Sequence, residues 1–353
     1  MRIGIPSETK TLEGRVALVP FACGDLVKAG HEVFIQSGAG LKSGFGDDDF
    51  SKVGVTVVPD AATLFEKAEL VVKVKEPIAG DLAHLRADHR LFCYLQLAAE
   101  PELTTALTDI GLTAVAFETV EDSHGSLPLL APMSIIAGRI ATQVGTHLLH
   151  QPQGGRGVLL GGLGGAERGH VVVLGAGAAG GHAASLAAAG GARVTVFDKR
   201  PDRLEAMMAT GANISALYPY SDAVAEAVAH ADLVIGAVLV TGARAPHVLT
   251  QPMIEAMPSG SVVVDISVDQ GGCFATTRPT TYQDPTYVVD GVTHFAVTNM
   301  PGAVPRTASQ ALSAAILPYV LKMAEPSWED HDALQKGINV RSGQVIHPAL
   351  LAA

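Results

Sequence analysis

Three glycines in Gly175-Ala176-Gly177-Ala178-Ala179-Gly180 follow the apolar run HVVVLG and open an Ala-rich stretch of helical length. In a strand-turn-helix of this kind the first glycine permits the tight turn and the second lets backbone approach a pyrophosphate. The third lets the helix pack close to the sheet, and the helix N-terminus offers free N–H groups and a partial positive charge. Gly175, Gly177 and Gly180, with Ala178 and Ala179 between them, are therefore expected to bind a dinucleotide. The next apolar run, ARVTVFD, ends in Asp198, where a carboxylate would accept hydrogen bonds from the adenosine ribose hydroxyls. A carboxylate there repels a 2′-phosphate, which favours NAD over NADP. Lys199, Arg200 and Arg203 stand just beyond and pull the other way. Arg203 is counted with the cofactor-binding set, although charges at the start of a helix are as readily solvated. The plainer alternative for the whole motif is a turn that packs tightly and binds nothing.

The elements that must position this turn alternate. Short β-branched runs (RIGIP, HEVFIQ, VTVVP, ELVVKVKEP, RLFCYLQ, LTAVAFETV) are separated by helical stretches such as FACGDLVKAG, AATLFEKA and PELTTALTDIG, the pattern of a parallel sheet. LPLLAPM carries two prolines and reads as a connection, with a long helix starting near Ser134. HVVVLG, ARVTVFD, ADLVIGAV, GSVVVDISV and THFAVTN supply the second sheet. PGAVPRTASQALSAAILPYVLKMAE reads as a second long helix carrying the chain back. The expected fold is α/β with two domains. A doubly wound Rossmann domain (131–302) is inserted into a second Rossmann-like domain that is discontinuous (1–130 plus 303–353).

The 353 residues allow two or three domains at roughly 100–200 residues each. Hydrophobic residues at 48% and charged residues at 17% give enough apolar surface for a core. A net charge of −11 argues against nucleic acid or an anionic membrane as partner, since phosphates demand a basic stripe. Cys23, Cys93 and Cys273 are far apart and unpaired in spacing, so neither a disulfide framework nor a cysteine metal site is expected. MRIGIPSETK has no signal-peptide core, and Val171 to Ala192 owes its apolarity to Ala and Gly, so a cytoplasmic protein is expected.

Taken together, MRIGIPSETKTLEGRVALVP, ELVVKVKEP, LPLLAPMS, VVVLGAGAAG, ADLVIGAVLVTGARAP, VVVDISVDQGGCF and HFAVTNMPGAVPRT resemble the alanine dehydrogenase family, itself related to the nucleotide-binding subunit of transhydrogenase. The resemblance runs from Met1 to about Ala324 and weakens after Trp328. It implies NAD-dependent interconversion of a small L-amino acid with its 2-oxo acid and ammonia, in a homo-oligomer that is often a hexamer. The apolar faces around Ala311 to Met323 are the expected interface. By the same resemblance Arg15 and Lys75 bind the substrate, Asp269 is the catalytic acid beside the nicotinamide, and Ser134, Asn299 and Met300 line the cofactor site. A planar guanidinium fork suits a carboxylate, and an ammonium adds a compact second charge. Each residue also has a plainer place: Arg15 on a surface loop, Asp269 in a strand-end turn. Lys75 alternates with Lys73 in a strand where one of the two is expected to face solvent.

The sequence departs from the family at Gln96. The family pattern has a histidine before Leu-Ala-Ala, and this chain reads LFCYLQLAAE. A glutamine donates and accepts hydrogen bonds but exchanges no proton near neutral pH. Losing a positioned acid/base costs about 10²–10⁴-fold in rate. Thirteen histidines are present, and His294 in THFAVTN is the nearest substitute by position, although a structural strand histidine is the plainer reading. Three readings follow. The chain is an alanine dehydrogenase that tolerates Gln96, or a diverged enzyme in which Gln96 recognises another substrate and Lys75 or Asp269 handles the proton, or a silent NAD-binding paralogue. Retention of Arg15, Lys75 and Asp269 together speaks against the last. A transhydrogenase subunit is expected to carry a linker towards membrane segments, and none reads after Ala324.

Overall fold

The computed structural model describes residues 1–238 and 245–351. Residues 239–244, inside the block ADLVIGAVLVTGARAP, lie outside the described residues. The contacts divide the chain into two units, one formed by Met1–Met133 with the residues from Gly302 onward, the other by Ser134–Pro301.

The first unit carries β1 (Arg2–Ile5), β2 (Glu32–Gln36), β3 (Thr56–Val58), β4 (Leu70–Val72), β5 (Arg90–Cys93) and β6 (Thr113–Ala116). The sheet runs Gln344–Val345, Ile338–Arg341, β6, β5, β4, β1, β2, β3. All pairs among β1 to β6 are parallel, and Ile338–Arg341 is antiparallel to β6. Strands covered on both faces need continuous apolar runs, and Leu70, Val71, Val72, Leu91, Phe92 and Cys93 are all fully buried. Between them, the helix Ala61–Lys67 is capped by Asp60, whose carboxylate accepts from Thr63 N at 2.8 Å. The helix Pro101–Ile110 opens on proline and closes on Gly111 in the left-handed region.

The second unit carries β7 (His170–Leu174), β8 (Arg193–Phe197), β9 (Ile214–Leu217), β10 (Leu233–Gly236), β11 (Val262–Asp265), β12 (Thr286–Val289) and β13 (Val292–Phe295). Its order is β12-β13-β11-β10-β7-β8-β9, parallel except for the β12–β13 hairpin. This is a doubly wound α/β sheet, and the winding reverses between β7 and β10, where ligands bind beyond the strand ends.

Four expectations change. ELVVKVKEP stops being a strand at Val72, so no alternation sorts its lysines: Lys73 is 1% exposed and Lys75 half-buried, and neither faces solvent. Lys73 tolerates burial because its ammonium donates to Asp81 at 2.9 Å and lies 3.7 Å from Glu8. The long helix expected from Ser134 begins at Ala131, taking Pro132 into its first turn, where the missing N–H costs nothing. The sequence reading passed over β9 and β12. An Asp290-Gly291 turn, both residues at positive φ, marks the β12–β13 hairpin and was a usable signal. Finally, the apolar stripe expected to form a subunit interface, Leu312, Ile316, Val320 and Met323, is buried within the chain itself. Among the described residues no helix is long and apolar enough to cross a membrane.

Candidate functional site

In the second unit, the functional candidates stand beyond the C-terminal ends of neighbouring strands. Gly175 leaves β7 at φ +99°, and a Cβ there would lie 2.5 Å from Ala237 O on the chain leaving β10. A Cβ on Gly180 would lie within bonding distance of Gly175 O, so the helix Ala178–Ala189 approaches the turn as only glycine allows. Gly177 is different. Its φ is an ordinary −72°, and the nearest atom to an added Cβ is Arg203 Nη1 at 3.6 Å. The space beside Gly177 is not needed by the fold. No side chain caps the helix at Gly177, and the first-turn N–H groups have no acceptor within the helix. This cradle, with Asp198 beyond β8, fits a dinucleotide.

Asp198 is largely buried and already engaged: Oδ2 accepts from Ala176 N at 2.7 Å, Oδ1 from Arg200 N at 2.9 Å, and Arg203 Nη1 lies 3.5 Å from Oδ2. Those bonds fix the carboxylate against the glycine turn and leave lone pairs for ribose hydroxyls. Asp269 is exposed on the short turn Ile266–Gln270 beyond β11, and Ser267 Oγ ties that turn to Val238 O beyond β10 at 2.8 Å. Asn299, at φ +59°, and buried Met300 follow β13. Ser134 is half-buried on the helix Ala131–Leu148, which presses Gly138 against Ala179 O so closely that a Cβ would clash. Gly138 had not been singled out in the sequence, because a glycine within a helix has many plainer uses.

In the first unit the row is ionic. Glu118 follows β6, Gln96 follows β5, Lys75 follows β4 and Glu8 follows β1, four adjacent strands. Glu118 Oε1 accepts from Gln96 N at 2.6 Å and from Leu95 N at 3.1 Å. Glu8 accepts from Val74 N at 2.7 Å and Lys75 N at 3.3 Å. Burial pushes both carboxyls above the usual glutamate range, against the pull of Lys73 on Glu8 and of amide donors and Lys75 on Glu118. Gln96 is half-buried at φ +53°, a conformation unusual for any residue but glycine.

Arg15 is no surface residue; it is 3% exposed. Its Nε donates to Glu13 Oε1 at 2.8 Å and its Nη2 to Glu13 Oε2 at 2.5 Å, while Nη1 points at Met133 Sδ, 3.2 Å away. Ser309 and Ser313 hold the loop by accepting from Val16 N and Val19 N at 2.9 and 3.1 Å. Burial works against the Arg15 charge, and Glu13, Tyr94 and Glu8 more than restore it, so its pKa is raised. Tyr94, whose hydroxyl donates to Leu129 O at 2.6 Å, senses both Arg15 and Glu118. The structure thus gathers Arg15, Lys75 and Gln96 with four groups the sequence reading missed: Glu8, Glu13, Tyr94 and Glu118. For Glu8 and Glu118, a carboxylate falling two or three residues beyond a strand end was the available signal.

His294 does not replace a proton carrier. Its Nε2 pairs with Thr276 Oγ1 at 2.8 Å, its Nδ1 with Val292 O at 3.0 Å, and Tyr287 stacks on the ring. Among the described residues no group of three or more His, Cys, Asp or Glu side chains could hold a metal ion.

Two family models cover most of the chain. "Alanine dehydrogenase/PNT, N-terminal domain" matches residues 4–137 and "Alanine dehydrogenase/PNT, C-terminal domain" matches residues 141–348, extending the likeness beyond Trp328. An alanine dehydrogenase of Halomonas elongata is 48% identical over 100% of this chain and 96% of its own length. One from Mycolicibacterium smegmatis is 46% identical over 99% of this chain and 96% of its own length. A solved L-alanine dehydrogenase superposes with a TM-score of 0.96 at 49% identity, covering 100% of this chain and 98% of that one. A transhydrogenase structure from Sinorhizobium meliloti gives 0.87 at 25% identity, covering 99% of this chain and 100% of the other.

Proposed function

Since the chain belongs to the alanine dehydrogenase/PNT family and is an NAD-dependent oxidoreductase of that type, we propose that it interconverts L-alanine with pyruvate and ammonia. The observation that carries this reading is the buried Arg15, held edge-on by Glu13, in a chain that also keeps a glycine cradle open beside Gly177. A guanidinium has two edges able to grip a carboxylate. Glu13 takes the Nε–Nη2 edge and so fixes the plane of the guanidinium whose charge is assigned to the substrate acid.

A bound NAD would supply hydride-transfer chemistry in either direction. Gly175, Gly177, Ala178, Ala179 and Gly180 would hold its pyrophosphate, Asp198 its ribose hydroxyls with Arg203 alongside, and Ser134, Asn299 and Met300 its remaining contacts. Arg15 and Lys75 bind and orient the acid, and Asp269 is the catalytic carboxylate on the cofactor side. Gln96 donates or accepts a hydrogen bond at the substrate oxygen or nitrogen. Gln96 itself cannot supply the proton that leaves or enters as the amino group is exchanged for oxygen, so Lys75 or Asp269 holds it. We further infer a homo-oligomer, a hexamer by the family resemblance, working in the cytoplasm; sedimentation measures the first.

The test is NADH consumption with ammonium and pyruvate, run beside a panel of other 2-oxo acids. Pyruvate is expected to be the best acceptor. If no member of the panel consumes NADH, the proposed activity is wrong. Gln96→His is expected to raise turnover by about a hundredfold, since it restores a proton carrier. A loss of turnover with pyruvate would instead make Gln96 a residue that selects another substrate.

A further inference from the structure

Gln96 stands in the left-handed region without being glycine, and such a residue persists only where its surroundings over-determine it. Its carbonyl accepts from Ala99 N at 2.9 Å in the turn that follows, and its N–H is taken by a carboxylate. Glu118, 22 residues further along the chain, takes the N–H of Gln96 at 2.6 Å, and that of Leu95 at 3.1 Å on Oε1 and 3.2 Å on Oε2. On the neighbouring strand Glu8 does the same to Val74 and Lys75. Two adjacent parallel strands therefore end in segments whose consecutive amides are each clamped by an acid from the next strand over, and each clamped segment carries a residue assigned to the substrate. The Glu8 clamp has other work, because Glu8 also lies 3.7 Å from the fully buried Lys73. No ion pair is recorded for Glu118 among the described residues.

We propose that Glu118 is a positioning residue for the reaction: its carboxylate fixes the Leu95–Gln96 backbone and so aims the Gln96 side chain. This rests on the reading that Gln96 meets the substrate. Glu118 acts only through residue 96 and touches no reacting atom. A carboxylate suits the task because both of its oxygens only accept, whereas an amide would turn one N–H donor towards the Leu95 N–H.

The test is Glu118→Gln, which keeps size and one acceptor oxygen, combined with Gln96→Ala in a double-mutant cycle. Thermal midpoint and NADH affinity report folding. Glu118→Gln is expected to lower kcat for amination by about tenfold to a hundredfold through misplacement, with NADH affinity unchanged. In the Gln96→Ala background the same change should cost less than about twofold, because coupled residues are not additive. Additive losses, or no loss in the single variant, overturn the proposal. Should Glu118→Gln fail to fold, Glu118→Asp replaces it, its shorter carboxylate slackening the clamp. A crystal structure of either variant gives an activity-independent answer: residue 96 is expected to leave the left-handed region, and its staying there overturns the proposal. If the wild-type protein aminates no 2-oxo acid, the functional reading fails while this structural outcome still decides the clamp.

Discussion

The two sheets end in rows built from opposite materials. In the second unit the row is backbone: a glycine turn, uncapped helical N–H groups, and carboxylates at Asp198 and Asp265 fixed by backbone amides. In the first it is ionic side chains, with Arg15, Glu13, Lys73 and Glu8 each almost wholly removed from water. A pyrophosphate is held by geometry, so what matters there is room and amide direction. A small amino acid has few handles beyond its charges, so its site must fix charges. Charges fixed in a dry interior need partners, and the partners need partners in turn. Both units use buried acids to hold backbone still, Glu8 and Glu118 in the first and Asp198 and Asp265 in the second, but the first also buries the lysine and arginine that face such acids.

Three substitution tests separate the rows. Arg15→Ala removes the fork from which both Glu13 oxygens accept inside the core, and breaking a buried pair this way costs about 3–5 kcal/mol. Chemical denaturation is expected to show that loss, and the surviving protein should bind NADH normally with a raised KM for the 2-oxo acid. A change within a few tenths of a kcal/mol would mean that the pair is not buried as described. Gly177→Ala is the matching test of the backbone row. Its Cβ meets nothing closer than 3.6 Å, so the thermal midpoint should hold while NADH affinity falls about tenfold, or ~1.4 kcal/mol. Gly180→Ala, which would clash with Gly175 O, should lose stability and binding together. Equal behaviour of the two variants would remove the distinction between room kept for a ligand and room needed by the fold.

The smallest effect is on pH dependence, and its sign differs between the buried acids and the buried histidines. Burial raises Glu8 and Glu118 in the first. Their contribution is therefore fully present below the unfolded glutamate pKa and is lost as pH rises through the elevated folded values. Burial lowers His170 and His294 in the second, joined by His89 in the first. That contribution is present above the unfolded histidine pKa of about 6.5 and is lost as pH falls through the depressed folded values. Thermal midpoints across pH should show Glu118→Gln flattening the fall on the alkaline side and His294→Gln the fall on the acid side. If each flattens the other's side, the assignment of these groups is reversed.

Much of the proposed cofactor row was legible in the chain. The glycine spacing, the strand before it, the helix after it and Asp198 closing the next strand are local features. The structure finds them where the spacing put them. The proposed substrate row was legible only as a resemblance. Lys73 and Lys75 could not be ranked from an alternating pattern because the strand ends before either, and Arg15 read equally well as a loop residue until Glu13 was seen on its edge. His294 looked available from its position at a strand end and is fully engaged by Thr276 and Val292.

By itself the sequence determined what depends on neighbours within a turn or two: most of the strands, where helices stop, and where the glycine turn must pass. Sterics and backbone hydrogen bonding act over a few residues, so spacing encodes them. The tertiary structure alone decided which charges meet. Glu118 reaches back 22 residues to Gln96, and Ser309 holds a loop 293 residues away, at Val16. Whether a lysine or an arginine stands in water or in the interior, and therefore whether its charge is an ornament or a fixed tool, follows from such distant contacts, because only a packed interior both strips the water and supplies the counter-charge.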